Sequence, residues 1–265
     1  MSTVCIAFLN SKGGVGKTTS AVNTAAALAE LGRRVLLLDM DAQSHVASHL
    51  GLRVEPQESI AAVLMEKHGR VRTAVRPSPF PLLDVVLSTP KLEEVERLLL
   101  LRNQPVDALW KALVGIGAYD FVLIDCAPGL GILTLNAMRA CDYVIIPTDL
   151  DAFSVDGMNR LGNGITDLHE DYAGAPSQVL GVLITKFDRR EVIENRENRA
   201  RLEASFAGGD DVFFRRRIRI DEHCKHATRE HRPVLAVPGS RAAEDYRALA
   251  KEILERLDDR RARAA

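Results

Sequence analysis

The sequence lacks the features that mark a membrane or secreted protein. No apolar run approaches the length of a membrane span. The N-terminus passes into a strand pattern with neither a basic segment nor a small-residue cleavage site. We therefore expect a cytoplasmic protein. Its 265 residues are 46% hydrophobic and 27% charged, a balance typical of an ordinary globular chain with one substantial core.

Cysteine motifs, net charge and repetition are also scarce. The four cysteines show no C-x-x-C spacing, which favours buried free thiols over a metal or cluster site. The net charge of −1 provides no overall attraction to a polyanion, so such a partner would have to meet a local basic patch. No internal repeat or low-complexity segment is present.

Apolar runs of strand length alternate with helix-period segments through most of the chain. This pattern predicts an α/β fold with a single doubly wound, mostly parallel sheet and helices on both faces. The predicted strands are Thr3–Leu9, Arg34–Asp39, Leu82–Leu87, Tyr119–Asp125, Tyr143–Pro147 and Val179–Phe187. The predicted helices are Thr18–Leu31, Leu92–Leu101, Asp107–Val114, Ile132–Arg139, Val155–His169, Val192–Phe206 and Ala243–Leu257.

Two regions fall outside this regular alternation. The pattern is weakest in Gly51–Pro81, where we expect a short helix around Ile60–Lys67 and a Pro-rich turn. We expect one domain over residues 1–258 and a polar tail over residues 259–265. The last helix has an apolar stripe formed by Tyr246, Leu249, Ala250, Ile253, Leu254 and Leu257. This stripe suits core packing better than a membrane surface, because the opposite face of the helix mixes acidic and basic residues.

A glycine-rich segment follows the first predicted strand and opens the first helix, namely Ser11-Lys12-Gly13-Gly14-Val15-Gly16-Lys17-Thr18-Thr19. Glycines let backbone N–H groups converge on a polyanion, and the helix N-terminus adds a partial positive charge. We expect Lys17 to reach the outer phosphates and the Thr18 hydroxyl to ligate Mg²⁺. The residues predicted to bind the nucleotide are Gly13, Gly14, Val15, Gly16, Lys17, Thr18 and Thr19.

The string K-G-G-V-G-K-T-T resembles the deviant Walker A signature of the ParA and MinD superfamily, with Ser11 at the usual first glycine position. The resemblance implies a P-loop ATPase that uses ATP and Mg²⁺ and forms an ATP-sandwiched homodimer. It also implies that Lys12 reaches the phosphates of the partner subunit. Only about ten residues precede the loop, so we expect the small type without an N-terminal helix-turn-helix domain.

Acidic residues follow two of the predicted strands. Asp39 and Asp41, at i and i+2, point the same way at a strand end, toward the crevice where such sheets bind ligands. They resemble the family's D-x-D-P-Q segment, which implies that Asp39 supports the Mg²⁺ shell and Asp41 orients the attacking water. Asp125 ends an apolar strand in the Walker B pattern. The predicted catalytic residues are Lys12, Lys17 and Asp41, and the predicted metal residues are Thr18, Asp39 and Asp125.

Later segments resemble the same family. The stretch Gly181–Asp188 is similar to its G-V-L-x-T-x-F-D motif, which implies that Thr185 lies near the purine. Ile145-Ile146-Pro147, followed by Ser154–Gly157, is similar to the family's I-P-V-x-x-x-x-x-A-L-E-G segment. Clustered arginines are typical of phosphate-backbone binding without base readout. The residues predicted to bind DNA are Arg189, Arg190, Arg215, Arg216, Arg217 and Arg219; a solvated or salt-bridged edge is the alternative.

These observations favour a ParA-like ATPase that binds DNA non-specifically and positions or segregates a cargo. The resemblance implies nucleoid association and stimulation of hydrolysis by an adaptor such as ParB. A MinD-like regulator at the membrane is the first alternative, although residues 258–265 are polar and we expect no membrane partner. A metabolic or electron-transfer relative is the second, and the cysteine placement argues against it. The cargo, whether DNA or a protein complex, is open.

Overall fold

The computed structural model describes residues 3–66, 68–149, 177–188 and 212–264, together with positions 164, 170, 172 and 200. Strands in these ranges are β1 (Val4–Phe8), β2 (Val35–Met40), β3 (Arg76–Pro77), β4 (Leu83–Val86), β5 (Phe121–Cys126), β6 (Tyr143–Thr148) and β7 (Gln178–Ile184). They form one seven-stranded sheet in the order β3-β4-β2-β5-β1-β6-β7. Each described pair of neighbouring strands is parallel except β3 and β4. The predicted α/β fold is confirmed.

The helices connect these strands as crossovers. In the described ranges they are α1 (Lys17–Glu30), α2 (His45–Leu50), α3 (Ile60–Met65), α4 (Leu92–Leu99), α5 (Ala108–Leu113), α6 (Ile132–Ala140), α7 (Glu222–Arg229) and α8 (Arg241–Ala264). Short 3₁₀ turns lie at Pro56–Glu58, Val71–Ala74 and Val234–Ala236. No helix in these ranges combines the length and apolarity needed to cross a membrane.

Two apolar layers sandwich the sheet. Helices α3, α4, α5 and α6 pack on one face, and α1, α2, α7 and α8 pack on the other. Successive strand residues point to opposite faces, so strands covered on both sides are apolar along their whole length. Strands β2 and β5 are buried at every position. Both carry an aspartate near their carboxyl end, where the site is built.

The apolar stripe of the last helix belongs to the core, as predicted. Tyr246, Leu249, Ala250, Ile253 and Leu257 are all buried. Helix α8 continues beyond the predicted Ala243–Leu257, through most of the polar tail, and ends at Ala264. An Asp258–Arg261 pair one turn apart and bonds from Arg260 to β7 hold this polar extension in helical form.

Several segments differ from the sequence predictions or lie beyond the description. Helix α2 was not predicted, and Arg76–Pro77 of the expected turn pairs antiparallel with β4 at the sheet edge, where proline is tolerated. The predicted helices 155–169 and 192–206 lie outside the described residues except for positions 164 and 200. The free thiols are confirmed: Cys5, Cys126 and Cys141 are buried and Cys224 is half-buried.

Candidate active site

The glycine-rich loop connects β1 to α1 at the carboxyl ends of the parallel strands. Gly14 and Gly16 have φ angles of 75° and 83°, in the left-handed region where a side chain would be strained. Gly16 is also the N-cap of α1, so the helix that begins at Lys17 directs its positive end into the loop. The backbone therefore has the conformation that an anion-binding loop needs.

Lys17 lies inside this loop. Its side chain is almost fully buried, and its Nζ donates to the Lys12 carbonyl oxygen at 2.9 Å. Burial lowers the pKa of Lys17, although the charges of Asp125 and Asp41 act in the opposite direction. A buried ammonium bonded only to a backbone carbonyl among the described contacts gains by meeting a phosphate, which agrees with its predicted role.

Lys12 has different surroundings from Lys17. Its Nζ lies 3.0 Å from each carboxylate oxygen of Asp149, and its side chain is 30% exposed. Asp149 follows β6 directly, so this ion pair ties the loop to the end of that strand. The two lysines of one loop therefore face different directions, with Lys17 inward and Lys12 toward the surface.

Asn10 anchors the start of the loop. Its Nδ2 donates to the Pro147 carbonyl oxygen at 2.7 Å, and its Oδ1 accepts from the Lys12 N–H at 3.0 Å. Sequence analysis missed both Asn10 and Asp149. Asn10 stands directly before the motif and carries a polar side chain after an apolar strand, which was its only signal. Asp149 had none, because its partner is 137 residues away.

Asp39 and Asp125 are direct neighbours across the sheet. They are Cα partners in the register of β2 and β5, and both are fully buried. Burial and then repulsion from Asp125 raise the pKa of Asp39. Burial raises the pKa of Asp125 to about 7, and the Thr18 hydroxyl opposes that rise. The structure thus brings together the three residues predicted at the metal, on two strands and the first turn of α1.

The chemistry of these carboxylates fits a divalent cation. Neither buried carboxylate oxygen of Asp125 has a hydrogen bond of good geometry in the described part of the chain, although the Thr18 hydroxyl and the Cys126 N–H lie close enough to lower its pKa. Asp39 accepts from the N–H groups of Asp41 and Val46 at 3.0 and 3.3 Å. Buried carboxylates need a counter-charge, and Mg²⁺ prefers oxygen ligands and usually binds one or two carboxylates together with nucleotide phosphates.

Asp41 lies in the turn after β2. It is 8% exposed, and its Oδ1 accepts from the Gln43 N–H at 3.0 Å. Burial lowers the pKa of Lys17, and the charge of Asp41 is one of the nearby charges that oppose this shift. The position of Asp41 beside Lys17 suits its predicted role in orienting the attacking water. That role stays a prediction.

A pocket of about 370 Å³ opens beside the phosphate loop. The Thr185 hydroxyl faces the loop, since it donates to the Val15 carbonyl oxygen at 2.8 Å and lies 3.1 Å from that of Thr148. Thr185 therefore supports the loop, and its contact to the base stays a prediction. The pocket is lined by Gly16, Thr19, Thr185, Lys186, Ile218, Arg219, Ile220, Asp221, Glu222, Cys224, Lys225 and Tyr246.

Asp221 closes one side of this pocket and was missed by sequence analysis. It caps α7 by accepting from the His223 N–H, and it also accepts from the Ser240 hydroxyl and the Ala242 N–H at the start of α8. Burial by itself raises the pKa of Asp221, but these hydrogen bonds outweigh it and hold the pKa well below its usual value. One carboxylate thus joins two helix starts at the pocket.

The segment that carries the arginine run lies along β7 and its extension. Phe214 N–H donates to Val182 O at 3.0 Å, and Ile218 N–H donates to Ile184 O at 2.8 Å. Beyond the strand, Phe187 N–H donates to Ile218 O at 2.9 Å. Residues 218–221 of this segment line the pocket beside the phosphate loop, so the run is continuous with one wall of that pocket.

The arginines of the run differ in their surroundings. Arg219 is bound to the buried Asp245, with Nε to Oδ2 at 2.8 Å, and is 27% exposed. Arg215 and Arg216 are 75% and 47% exposed, although both lie near carboxylates of α8. Arg217 stacks on the Phe187 ring. Ion pairs to α8 therefore involve Arg215, Arg216 and Arg219, as the salt-bridged alternative expects. DNA contact by this run stays a prediction. Arg189 and Arg190 lie outside the described residues.

Comparison with known proteins decides the family. A family model described as an AAA domain matches residues 3–175. The sporulation initiation inhibitor protein Soj of Bacillus subtilis is 34% identical, over 94% of this chain and 97% of its own. The chromosome partitioning protein ParA of Caulobacter vibrioides is 35% identical, over 98% of this chain and 97% of its own. This chain belongs to the ParA family of ATPases.

A solved structure with bound nucleotide has a similar fold. The crystal structure of cobyrinic acid a,c-diamide synthase from Mycobacterium smegmatis, with bound ADP and magnesium, matches with a TM-score of 0.79 and 28% identity. The match covers 97% of this chain and 96% of that one. The predicted activity and cofactors are confirmed at the level of the ParA family: the chain is an ATP hydrolase that uses ATP and Mg²⁺.

Proposed function

We propose that this ParA-family ATPase forms a homodimer around ATP, binds DNA non-specifically and positions or segregates a cargo. Hydrolysis, stimulated by an adaptor such as ParB, then returns it to the monomer. The names of its relatives support a role in partitioning, since those from Myxococcus xanthus and Caulobacter vibrioides are chromosome partitioning proteins. The observation that carries the proposal is the different placement of the two loop lysines.

The dimer follows from that placement. Lys17 is buried inside its own loop, whereas Lys12 is 30% exposed at the loop's outer side. A second cation at the edge of a phosphate site can neutralise the triphosphate that a second subunit brings to it. Closure of the interface excludes water and so strengthens that attraction. ATP bound between two subunits provides that geometry for both copies of Lys12.

Hydrolysis needs positioning and charge neutralisation more than covalent chemistry. Lys17 holds the outer phosphates, while Asp39 and Asp125 hold Mg²⁺ at the ends of neighbouring strands. Mg²⁺ bound there supplies charge stabilisation for the transferred phosphoryl group. Asp41, beside Lys17, orients the water that attacks the phosphoryl group. Because Asp41 contacts no metal position in this assignment, its loss separates binding from hydrolysis.

DNA binding is assigned to the exposed arginines of the run, Arg215 and Arg216. Two copies of the run in a dimer offer about four to eight phosphate contacts, and one copy offers half that number. Arg217 and Arg219 contribute less directly, because both are half-buried and Asp245 holds Arg219 at 2.8 Å. We place the ATP-bound dimer on the nucleoid in the cytoplasm. A MinD-like function at a membrane is the alternative, and DNA binding distinguishes the two.

The test is DNA binding by the wild-type protein with a non-hydrolysed ATP analogue across a salt series. We expect binding that is indifferent to sequence, requires the analogue, and falls with salt at a log-log slope of about −0.9 for each phosphate contacted. Binding of the analogue-loaded dimer to anionic vesicles, with no DNA binding at low salt, would support the membrane alternative instead.

A matched pair of variants locates the surface. Arg215→Gln/Arg216→Gln should strongly weaken DNA binding and leave dimerisation unchanged. Arg72→Gln/Arg97→Gln changes the net charge equally at exposed arginines on the opposite face of the sheet, and should retain binding. We avoid glutamate at these positions, because Arg216 lies 3.7 Å from the buried Asp245 and a second carboxylate there would destabilise the fold. Equal loss in both pairs would show that only overall charge matters.

A further inference from the structure

We propose that Asn10 is a positioning residue for Lys12, and that it controls ATP-dependent dimerisation with little effect on nucleotide binding within its own chain. Asn10 lies between β1 and the phosphate loop and is only 3% exposed. The inference rests on the proposed dimer, because it concerns how Lys12 is held ready for a second subunit.

The side-chain amide of Asn10 uses both of its ends. Nδ2 donates to Pro147 O at 2.7 Å, and Oδ1 accepts from Lys12 N–H at 3.0 Å. An uncharged amide supplies a donor and an acceptor in one planar group, whereas a carboxylate supplies acceptors only. Asn10 therefore clamps the Lys12 backbone to the end of β6. The bond to Pro147 O is buried and the bond from Lys12 N–H is partly buried, so the loss of either leaves a polar group without its partner.

The Lys12 backbone is held on its other side as well. Its carbonyl oxygen accepts from Lys17 Nζ at 2.9 Å, while its N–H is bound to Asn10. With the backbone fixed at both ends, the Lys12 side chain is the part that reorients, away from Asp149 and toward a partner's phosphates. Loss of the Asn10 clamp frees the backbone, so the ammonium spreads over more positions and meets the partner less often.

Nucleotide binding within one chain depends on other supports. The loop beyond Lys12 is fixed by the start of α1 at Lys17 and by the Thr185 hydroxyl on Val15 O. Neither support involves Asn10. The two readouts therefore separate: dimerisation responds to Asn10, and ATP affinity responds to Lys17 and the glycine amides.

Asn23 provides the matched control. It is 2% exposed and makes the same kind of bridge, with Nδ2 donating to Thr19 O and Oδ1 accepting from Val234 N–H, each at 2.7 Å. Its bridge joins α1 to the Val234–Ala236 turn instead of the loop to β6. Asn10→Ala and Asn23→Ala should therefore lower the thermal midpoint by similar amounts, while only Asn10→Ala changes dimerisation.

The experiment measures three quantities for each protein: the dimer dissociation constant by sedimentation with Mg²⁺ and a non-hydrolysed ATP analogue, the affinity for ATP, and the thermal midpoint. We expect Asn10→Ala to weaken the dimer by about tenfold or more, because the Lys12 side chains of both subunits lose their fixed position before they meet the partner's phosphates. ATP affinity should stay within about threefold. Asn23→Ala should dimerise like the wild type.

Other results would overturn the inference. A wild-type dimer constant in Asn10→Ala would remove the positioning role, and equal weakening in Asn23→Ala would reduce Asn10 to a general structural residue. If Asn10→Ala fails to fold, Asn10→Asp serves instead, because it keeps the acceptor for Lys12 N–H and loses the donor to Pro147 O; a wild-type dimer constant in this variant contradicts the clamp. A wild-type protein that stays monomeric with the analogue contradicts the proposed dimer function itself.

Discussion

The Nζ of Lys12 lies 3.0 Å from both carboxylate oxygens of Asp149, so the lysine expected to act on a partner's ATP is ion-paired within its own chain. Asp149→Asn removes the competing charge. Dimerisation with ATP should strengthen by about three- to tenfold, since a partly exposed ion pair contributes about 1 kcal/mol. Sedimentation equilibrium measures this effect. The double variant Lys12→Ala/Asp149→Asn should remain monomeric, and a weaker dimer in Asp149→Asn would show that the pair assists assembly.

Lys17→Ala removes the buried ammonium of the phosphate loop. ATP affinity should fall by at least about a hundredfold, because charge-assisted bonds to phosphate are lost from a site with little access to water. Titration with a fluorescent ATP analogue provides the measurement. Lys12→Ala is the control from the same loop, and should bind nucleotide normally yet stay monomeric. Tight ATP binding by Lys17→Ala would disprove the site assignment.

Asp41→Ala should separate assembly from hydrolysis. The variant keeps Lys17, Thr18 and the metal-side carboxylates, so it should bind ATP and dimerise. Its hydrolysis rate should fall by at least about a hundredfold, in line with the contribution of a group that positions and activates water. Phosphate release and light scattering on the same sample report the two properties. A monomeric variant in the presence of ATP and Mg²⁺ would assign Asp41 to the interface.

Asp125→Asn should have opposite effects on stability and activity. Without metal, the amide removes the charge of a fully buried carboxylate whose pKa burial raises, so the free energy of unfolding should rise by about 2 kcal/mol. Hydrolysis with Mg²⁺ should be lost. Asp84→Asn is the control on β4, where the carboxylate accepts from Tyr119 OH at 2.7 Å, and it should not be stabilising. A less stable metal-free Asp125→Asn would contradict the metal role.

Asp221 should contribute to the loss of folding stability at acidic pH. Its folded-state pKa is depressed, so its contribution is complete above its unfolded pKa near 4 and is lost as the pH falls through the lower folded value. Asp221→Ala should lose about 1–2 kcal/mol at pH 7 through the helix cap, and the difference from wild type should shrink toward pH 2. Urea unfolding at several pH values measures it. Asp258→Ala, at a 76% exposed side chain, should show little change at any pH.

The features predicted from the sequence were the ones that local pattern controls. The loop between an apolar strand and a helix, and the aspartates at strand ends, depend on residues within a few positions of each other. Asp39 and Asp125 could be placed at the same sheet edge because parallel strands share one. Their pairing in adjacent register required the strand order, which places β5 between β1 and β2.

The features missed from the sequence depend on distant contacts. Asn10 reads as an ordinary loop residue until Pro147 is brought beside it by the pairing of β1 with β6. From the sequence alone, Arg219 is one more surface cation of a basic run. Its structural role appears only from its ion pair with the buried Asp245 on α8. Neither contact leaves a periodic signal in the sequence.

The backbone bonds between the arginine segment and β7 limit how ATP can control DNA binding. Residues 214 and 218 are bonded to β7, and residue 218 also lines the pocket beside the phosphate loop. Moving the arginines of one subunit relative to its own nucleotide would break these bonds. We therefore expect the arginine surface to be nearly rigid in each subunit, so that ATP changes how many such surfaces act together and leaves the shape of each one unaltered.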